Sequence, residues 1–384
     1  MRDKENKGRR KVAFFANTDW YLFNFRLGLA KYLRAKGFDV VMMSPPGEYG
    51  YRFSEEGFRW IALPMDRRSL QPHRELFLLY RLRKILKAEA VDAIHNFTIK
   101  CVVYGSLAAQ AAGVPSRINA VTGLGHVFVS DSLRARLLRP VVNRLLRYSL
   151  RGEGSRLVVQ NPDDERLFLE QQMIDEPRLR LIKGSGVDTE RFQSVPARAG
   201  ERMRILLAAR LLWEKGIEEY AEAARMLRHR KDEVEFLLAG DSDPGNPSAV
   251  PDEQIRQWRE EDLLTILGHV DDMPSLLREV DLAVLPSYRE GVPRGLIEAA
   301  AAGLPIVTTD ASGCREIVEH EVNGFLVPPR DGRALAKAIE RLLDDPNRRK
   351  AFGEAGREKV LREFDERIVF ERTWQVYESL GLGG

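Results

Sequence analysis

Cysteine is scarce in this 384-residue chain: only Cys101 and Cys314 occur, far apart and outside any Cys-x-x-Cys spacing. Neither a disulfide framework nor a zinc site is implied, and a reducing cytoplasm is the expected setting. No apolar run has the length of a signal peptide or a spanning helix, and the chain opens on a polar, basic segment, so any meeting with a membrane is expected at its surface. Low-complexity tracts and solenoid-period repeats are missing too. Charge of one sign is not in excess, since 60 Lys and Arg stand against 57 Asp and Glu. A formal charge of +3 is too small to imply a nucleic-acid partner. Glycine is absent from the loop Asn17–Asn24 after the first apolar run. A dinucleotide fingerprint needs Gly-x-Gly-x-x-Gly there, which disfavours an NAD-dependent dehydrogenase.

What is present reads as a folded α/β protein. With 44% hydrophobic and 30% charged residues the composition is that of a globular chain, and its length suggests two domains. Short apolar runs alternate with helical patterns: Val12–Ala16, Val40–Met43, Trp60–Leu63, Val91–His95, Ile118–Val121 and Leu157–Gln160. After the polar stretch Gln193–Arg202 the pattern restarts with Ile205–Ala209, Val234–Ala239, Leu264–Leu267, Leu282–Pro286, Pro305–Thr309 and Gly324–Val327. Such alternation predicts two parallel sheets, with ligands at the carboxyl ends of the strands. The expected division is 1–198, 199–363, and a C-terminal helical segment 364–384.

The residues richest in chemistry lie in Leu285–Asp310, which reads as strand, Gly/Pro turn, helix and strand. Glu290 falls in the loop after the first strand, and Glu298 one or two turns into the helix that starts near Pro293. Both can face one crevice. A second stretch, Ile205–Leu227, ends a strand at Arg210 and starts a helix after Lys215 and Gly216. Two cations near a helix start can neutralise an anionic group without metal. Asp241 and Asp243 spell Asp-x-Asp, but they follow a strand and lead into a Pro/Gly turn, so they are read as a loop and not as metal ligands.

The Glu, seven residues, Glu spacing, with Arg210 and Lys215 upstream, resembles family 4 of the retaining glycosyltransferases. That resemblance implies a GT-B fold, two Rossmann-like domains facing across a cleft, with an N-terminal acceptor domain, a C-terminal donor domain, and a C-terminal helix in 364–384 that packs back on the N-terminal domain. It implies catalytic roles for Glu290, Arg210 and Lys215, with Glu290 at the donor sugar and the two cations at the diphosphate. Glu298 is implied at the nucleotide ribose, and the backbone of Gly291, Val292, Pro293, Arg294 and Gly295 at the phosphates. His269 and Val270 are placed by likeness beside the base, and Gly186 in the interdomain turn. The implied donor is a UDP-sugar, with no metal and no other cofactor. UDP-sugar epimerisation on the same fold and non-catalytic nucleotide-sugar sensing remain open at this point.

In the first domain, His95–Pro115 and Ala120–Gly125 resemble a subgroup acting on undecaprenyl-diphosphate-linked oligosaccharides. That implies a lipid-linked glycan acceptor, with Asn17, Thr18, His95, Thr122 and Gly123 on the acceptor or sugar side. Many members carry a histidine where this chain has Thr122; His126 and His95 are the alternatives. Between Asp131 and Arg151 the chain holds many arginines and one acid. On a helical wheel Arg136, Arg144, Arg147 and Arg151 fall on one side, and Leu137, Leu138, Val141, Val142 and Leu145 on the other, with Pro140 as a kink. An anionic membrane surface is a candidate partner for 131–151. The expected location is cytoplasmic, with peripheral attachment to the inner face of the plasma membrane.

Overall fold

The computed structural model describes residues 8–66, 69, 71–123, 133–193, 202–243 and 245–383, without the side chains of 133–138. His126, Asp131, the side chains of Arg136, Leu137 and Leu138, and most of the linker around residue 198 thus lie outside the described residues. The chain divides into two compact units: residues 1–185 with Val369–Gly384, and Gly186–Ile368.

In the first unit seven strands are all parallel: β1 (Lys11–Phe15), β2 (Asp39–Ser44), β3 (Arg59–Ala62), β4 (Ala93–Phe97), β5 (Ser116–Val121), β6 (Ser155–Val159) and β7 (Leu179–Leu181). Their order is β3-β2-β1-β4-β5-β6-β7. Helices cover both faces, which is why β1 and β4 are almost wholly buried; β1 carries a continuous apolar run, whereas β4 buries His95 and Asn96 as well. Side chains alternate between the faces. Val12 and Phe14 pack with the helix Asp19–Ala35 and with Val369, Trp374 and Tyr377 of the C-terminal helix. Ala13 and Phe15 pack with the helices Pro72–Glu89 and Ile99–Ala112 on the opposite face. The edge strand β7 is the one strand that the apolar runs do not announce. It has three residues, Leu-Arg-Leu, and only Leu179 is fully buried.

The second unit holds six parallel strands: β8 (Met203–Ala208), β9 (Val234–Ala239), β10 (Thr265–Gly268), β11 (Leu282–Leu285), β12 (Ile306–Thr309) and β13 (Gly324–Val327), in the order β10-β9-β8-β11-β12-β13. Before β8 the chain already belongs to this unit. Val187 and Phe192 lie in its core, and Val187, opposite Asp365, donates to Phe364 O and accepts from Glu366 N, both at 3.0 Å. For that reason the division falls at Ser185–Gly186, ahead of the polar linker.

Candidate active site

In the second sheet the strand order reverses between β8 and β11, and their carboxyl ends lie side by side. In a parallel sheet that reversal opens a crevice, because the connections from the two strands leave in opposite directions. Arg210 and Lys215 follow β8; Ser287 and Glu290 follow β11. Lys215 ends a 3-10 turn, and Gly216 then adopts φ +73° before the helix Ile217–Met226. A Cβ at Gly216 would stand 2.1 Å from the Pro286 carbonyl oxygen. Glycine lets the two connections touch there.

Contact between them is extensive. The Glu214 carbonyl accepts from Tyr288 N at 2.9 Å, and Ser287 Oγ lies 3.0 Å from it. The Tyr288 hydroxyl reaches Glu219 at 2.7 Å, and burial followed by that carboxylate pushes the phenol upward. On this frame the Lys215 ammonium donates to Glu290 Oε1, which also accepts from Ser287 Oγ at 2.7 Å. Both charged side chains are less than one fifth exposed, so water screens the pair weakly. Glu290 N bonds Ser312 O at 3.0 Å, and Gly313, at φ +80°, lets the turn after β12 approach Gly291 O. Burial, and then the nearby Glu290 charge, push the Cys314 thiol up to about 12, so this cysteine is an inert packing group.

The helix Arg294–Ala301 starts after Pro293. Gly291, Val292 and Pro293 are buried, while Arg294 and Gly295 are half-buried at its positive end. Glu298, in the second turn, accepts from Arg294 Nε at 2.7 Å across one helical turn.

Arg210 is over half exposed and pairs at 3.0 Å with Asp243, whose carboxylate also takes Asn246 Nδ2 at 3.0 Å. Asp241 pairs instead with His269 Nδ1 at 3.0 Å, and the other ring nitrogen lies 3.2 Å from Asp271. The two carboxylates of Asp-x-Asp thus serve separate partners. Val270 packs on the core. Gly240, bonded to Gly268 O at 2.8 Å, stitches the loops of Arg210, Asp243 and His269 together. Gly186, at φ +76°, sits against the Glu366 backbone. Burial, and then Asp188, hold the Glu366 carboxyl above its ordinary range, opposed by Arg294. Ser287 and Glu366 were not singled out by spacing, and Asp243 stood out only as part of Asp-x-Asp, read as a loop. Ser287, directly after a strand and three residues before Glu290, carried the readable signal.

In the first unit Asn17 and Thr18 follow β1 and are half-buried; Thr18 caps the next helix by accepting from Tyr21 N at 3.1 Å. Thr122 and Gly123 follow β5 and are half-buried. His95 is a core residue, stacked on Phe97 and 3.0 Å from the Tyr377 hydroxyl. Burial, reinforced by Arg26, keeps its imidazole well below the ordinary range and therefore neutral. The helix Leu133–Ser149 departs from the expected wheel. Its buried contacts come from Val142, Leu146 and the following Leu150, whereas Val141, Leu145 and Tyr148 stand exposed beside Arg144, Arg147 and Arg151. The apolar residues occupy two faces, of which the unit's core covers one.

The family described as glycosyl transferases group 1 matches residues 188–359, and the family described as glycosyl transferase 4-like matches residues 11–161. A Campylobacter jejuni relative, N,N'-diacetylbacillosaminyl-diphospho-undecaprenol alpha-1,3-N-acetylgalactosaminyltransferase, is 28% identical over 96% of this chain and 99% of its own length. An Escherichia coli relative, UDP-Gal:alpha-D-GlcNAc-diphosphoundecaprenol alpha-1,3-galactosyltransferase, is 26% identical over 76% of this chain and 77% of that protein. Among solved structures, sucrose-phosphate synthase from Thermosynechococcus elongatus superimposes with a TM-score of 0.78 at 24% identity, over 98% of this chain and 100% of that one. Anabaena HepE, solved with UDP and glucose, gives 0.77 at 19% over 97% and 100%. No helix among the described residues is long and apolar enough to cross a membrane. With both halves of the chain matched in this way, and two parallel sheets of this order, the protein is a glycosyltransferase of GT-B fold related to the group 1 and 4-like glycosyltransferases.

Proposed function

We propose that the enzyme transfers a hexose or N-acetylhexosamine, with retention, from a UDP-sugar to a lipid-linked glycan in bacterial surface polysaccharide or glycan assembly. The observation that carries the reading is the Lys215, Glu290 and Ser287 cluster at the strand-order reversal. An ammonium has three donors, so Lys215 can hold Glu290 and a diphosphate oxygen together. Arg210 approaches the same diphosphate from earlier in the same connection, and the first-turn amides near Gly295 add the positive end of a helix. These groups stabilise the charge that develops as the sugar–phosphate bond breaks. Glu290 binds the sugar hydroxyls, Glu298 the ribose, and His269 with Val270 borders the base, while Gly186 closes the donor side. In a front-face transfer the leaving phosphate accepts the acceptor's proton as its own bond to the sugar breaks.

Asn17, Thr18, Thr122 and Gly123 border the acceptor or sugar side. His95 supports the fold beneath them as a neutral core group. The relatives' undecaprenyl-linked substrates support a lipid-linked acceptor. The exposed Val141, Leu145 and Tyr148 beside three arginines support anionic membrane docking through 131–151, which suits a cytoplasmic enzyme held at the inner face of the plasma membrane.

The test is a panel of nucleotide sugars, scored for nucleotide release and for new glycoside, with and without excess EDTA. Transfer from one UDP-sugar that persists in chelator is the expected result. A changed nucleotide sugar without glycoside, or loss of all turnover in EDTA, overturns the reading.

A further inference from the structure

A hollow of about 470 Å³ lies in the first unit. Its walls follow the carboxyl ends of β2 and β3, where Pro46, Pro64 and Met65 stand, and it is closed by Phe77 on the helix Pro72–Glu89. The loop after β2 is held by Asp19, which accepts from Tyr49 N at 2.7 Å. The loop after β3 is held by Lys100, which donates to the carbonyls of Asp66 at 2.7 Å and Ser69 at 2.9 Å. The hollow is therefore built by specific contacts.

Its chemistry is amphiphilic. Arg74 and Arg81 line it and have no carboxylate partner among the described residues; Arg81 lies over the Phe77 ring at 5.7 Å. Of the two acids on the wall, Asp66 and Glu75, the latter is neutralised by Lys100 at 2.9 Å. Phe77 of its lining is 60% exposed, and its helix neighbours Leu76 and Tyr80 are 66% and 59% exposed. Large apolar side chains grouped this openly on one helix mark a binding surface.

We infer that this hollow receives the diphosphate and the first prenyl units of a polyprenyl-diphosphate-linked acceptor, an inference that rests on the lipid-linked acceptor proposed above. Two guanidinium groups match a diphosphate in charge, and each can donate in a fork to its oxygens. The proline, methionine and phenylalanine walls match a hydrocarbon chain. Position agrees with this as well, because β2 and β3 are the first and second neighbours of β1. At roughly 4.8 Å per strand, the lipid end then lies about 5 to 10 Å along the sheet edge from Asn17 and Thr18, a span suited to a short glycan.

The test compares wild type, Arg74→Gln with Arg81→Gln, and Phe77→Ser on two acceptors: the polyprenyl-diphosphate-linked glycan and the same glycan on a simple alkyl group. The double variant is expected to raise KM for the lipid-linked acceptor about tenfold, more at low salt, with kcat, donor hydrolysis and the alkyl-acceptor KM unchanged. Phe77→Ser raises the same KM without the salt dependence. An unchanged KM overturns the inference, and so does an equal rise on both acceptors. Binding to phosphatidylglycerol vesicles without acceptor is measured in parallel; a fall matching the change in KM makes this a general membrane surface and overturns it too. If the wild-type enzyme does not distinguish the two acceptors at all, the lipid-linked acceptor itself is wrong.

Discussion

Replacing Lys215 with Met keeps much of the apolar stem but removes the charge beside Glu290. Both partners are less than one fifth exposed, and Glu290 keeps the Ser287 hydroxyl as a remaining donor. A charge-assisted hydrogen bond contributes roughly 1.5 to 3 kcal/mol, and losing it leaves a carboxylate short of one partner in a poorly solvated place. For a domain of this size, about 2 to 3 kcal/mol lowers the melting midpoint by roughly 4 to 12 °C. Glu290→Gln in the same background removes the orphaned charge, so the double variant should be more stable than Lys215→Met alone. Catalysis follows a different pattern. If the ammonium also neutralises the departing diphosphate, kcat/KM falls on the order of ten to a hundredfold in Lys215→Met and the second substitution does not restore it. Calorimetry and initial-rate kinetics on the full double-mutant cycle measure both effects. Additive changes in stability would refute the coupling, and wild-type turnover in Lys215→Met would refute the catalytic role.

Glu298→Gln is expected to raise the donor KM with a small change in kcat, while Glu290→Gln chiefly lowers kcat; initial rates over a donor series separate the two, and equal wild-type rates in both would remove the pair from the site. Gly216→Ala places a Cβ 2.1 Å from the Pro286 oxygen at a left-handed φ, so it should cost more than about 2 kcal/mol in thermal unfolding and abolish most transfer by parting Lys215 from Glu290. Asp243→Asn loosens Arg210 and is expected to lower turnover by up to about tenfold, whereas Asp241→Asn stays near wild type, with neither rate altered by added divalent metal. Glu366 titrates above its ordinary range, chiefly through burial and then Asp188; protonation therefore favours the fold, and that stability is lost as pH rises through the folded-state value. Glu366→Gln should melt higher than wild type at pH 7 and coincide with it near pH 4; a constant difference across that range would contradict the assignment.

Much of this protein is written locally. Among the described residues twelve of the thirteen strands announce themselves as short apolar runs, and the inner ones do so because parallel strands buried on both faces need apolar side chains. Glu290, Glu298, Arg210 and Lys215 stand out for a related reason. A turn directly after such a run falls at the carboxyl end of a strand, where ligands bind, and its polar residues can be read one segment at a time.

What the tertiary structure decides is which of those segments meet. Lys215 and Glu290 are 75 residues apart, and nothing local pairs them; the sheet order β9-β8-β11-β12 brings their loops together, and Gly216 permits the contact. Asp243 acquires its meaning only when the Leu211 N to Asp241 O bond of 3.0 Å ties its loop to that of Arg210. His95 reads in isolation as a strand-end ligand, yet a helix more than 280 residues later supplies Tyr377 and encloses it in the core. The helix Leu133–Ser149 teaches the same point, since periodicity finds apolar stripes but cannot say which one the neighbouring helix Ile99–Ala112 covers. Local patterns follow from the chemistry of one segment, whereas partners depend on the path of the whole chain.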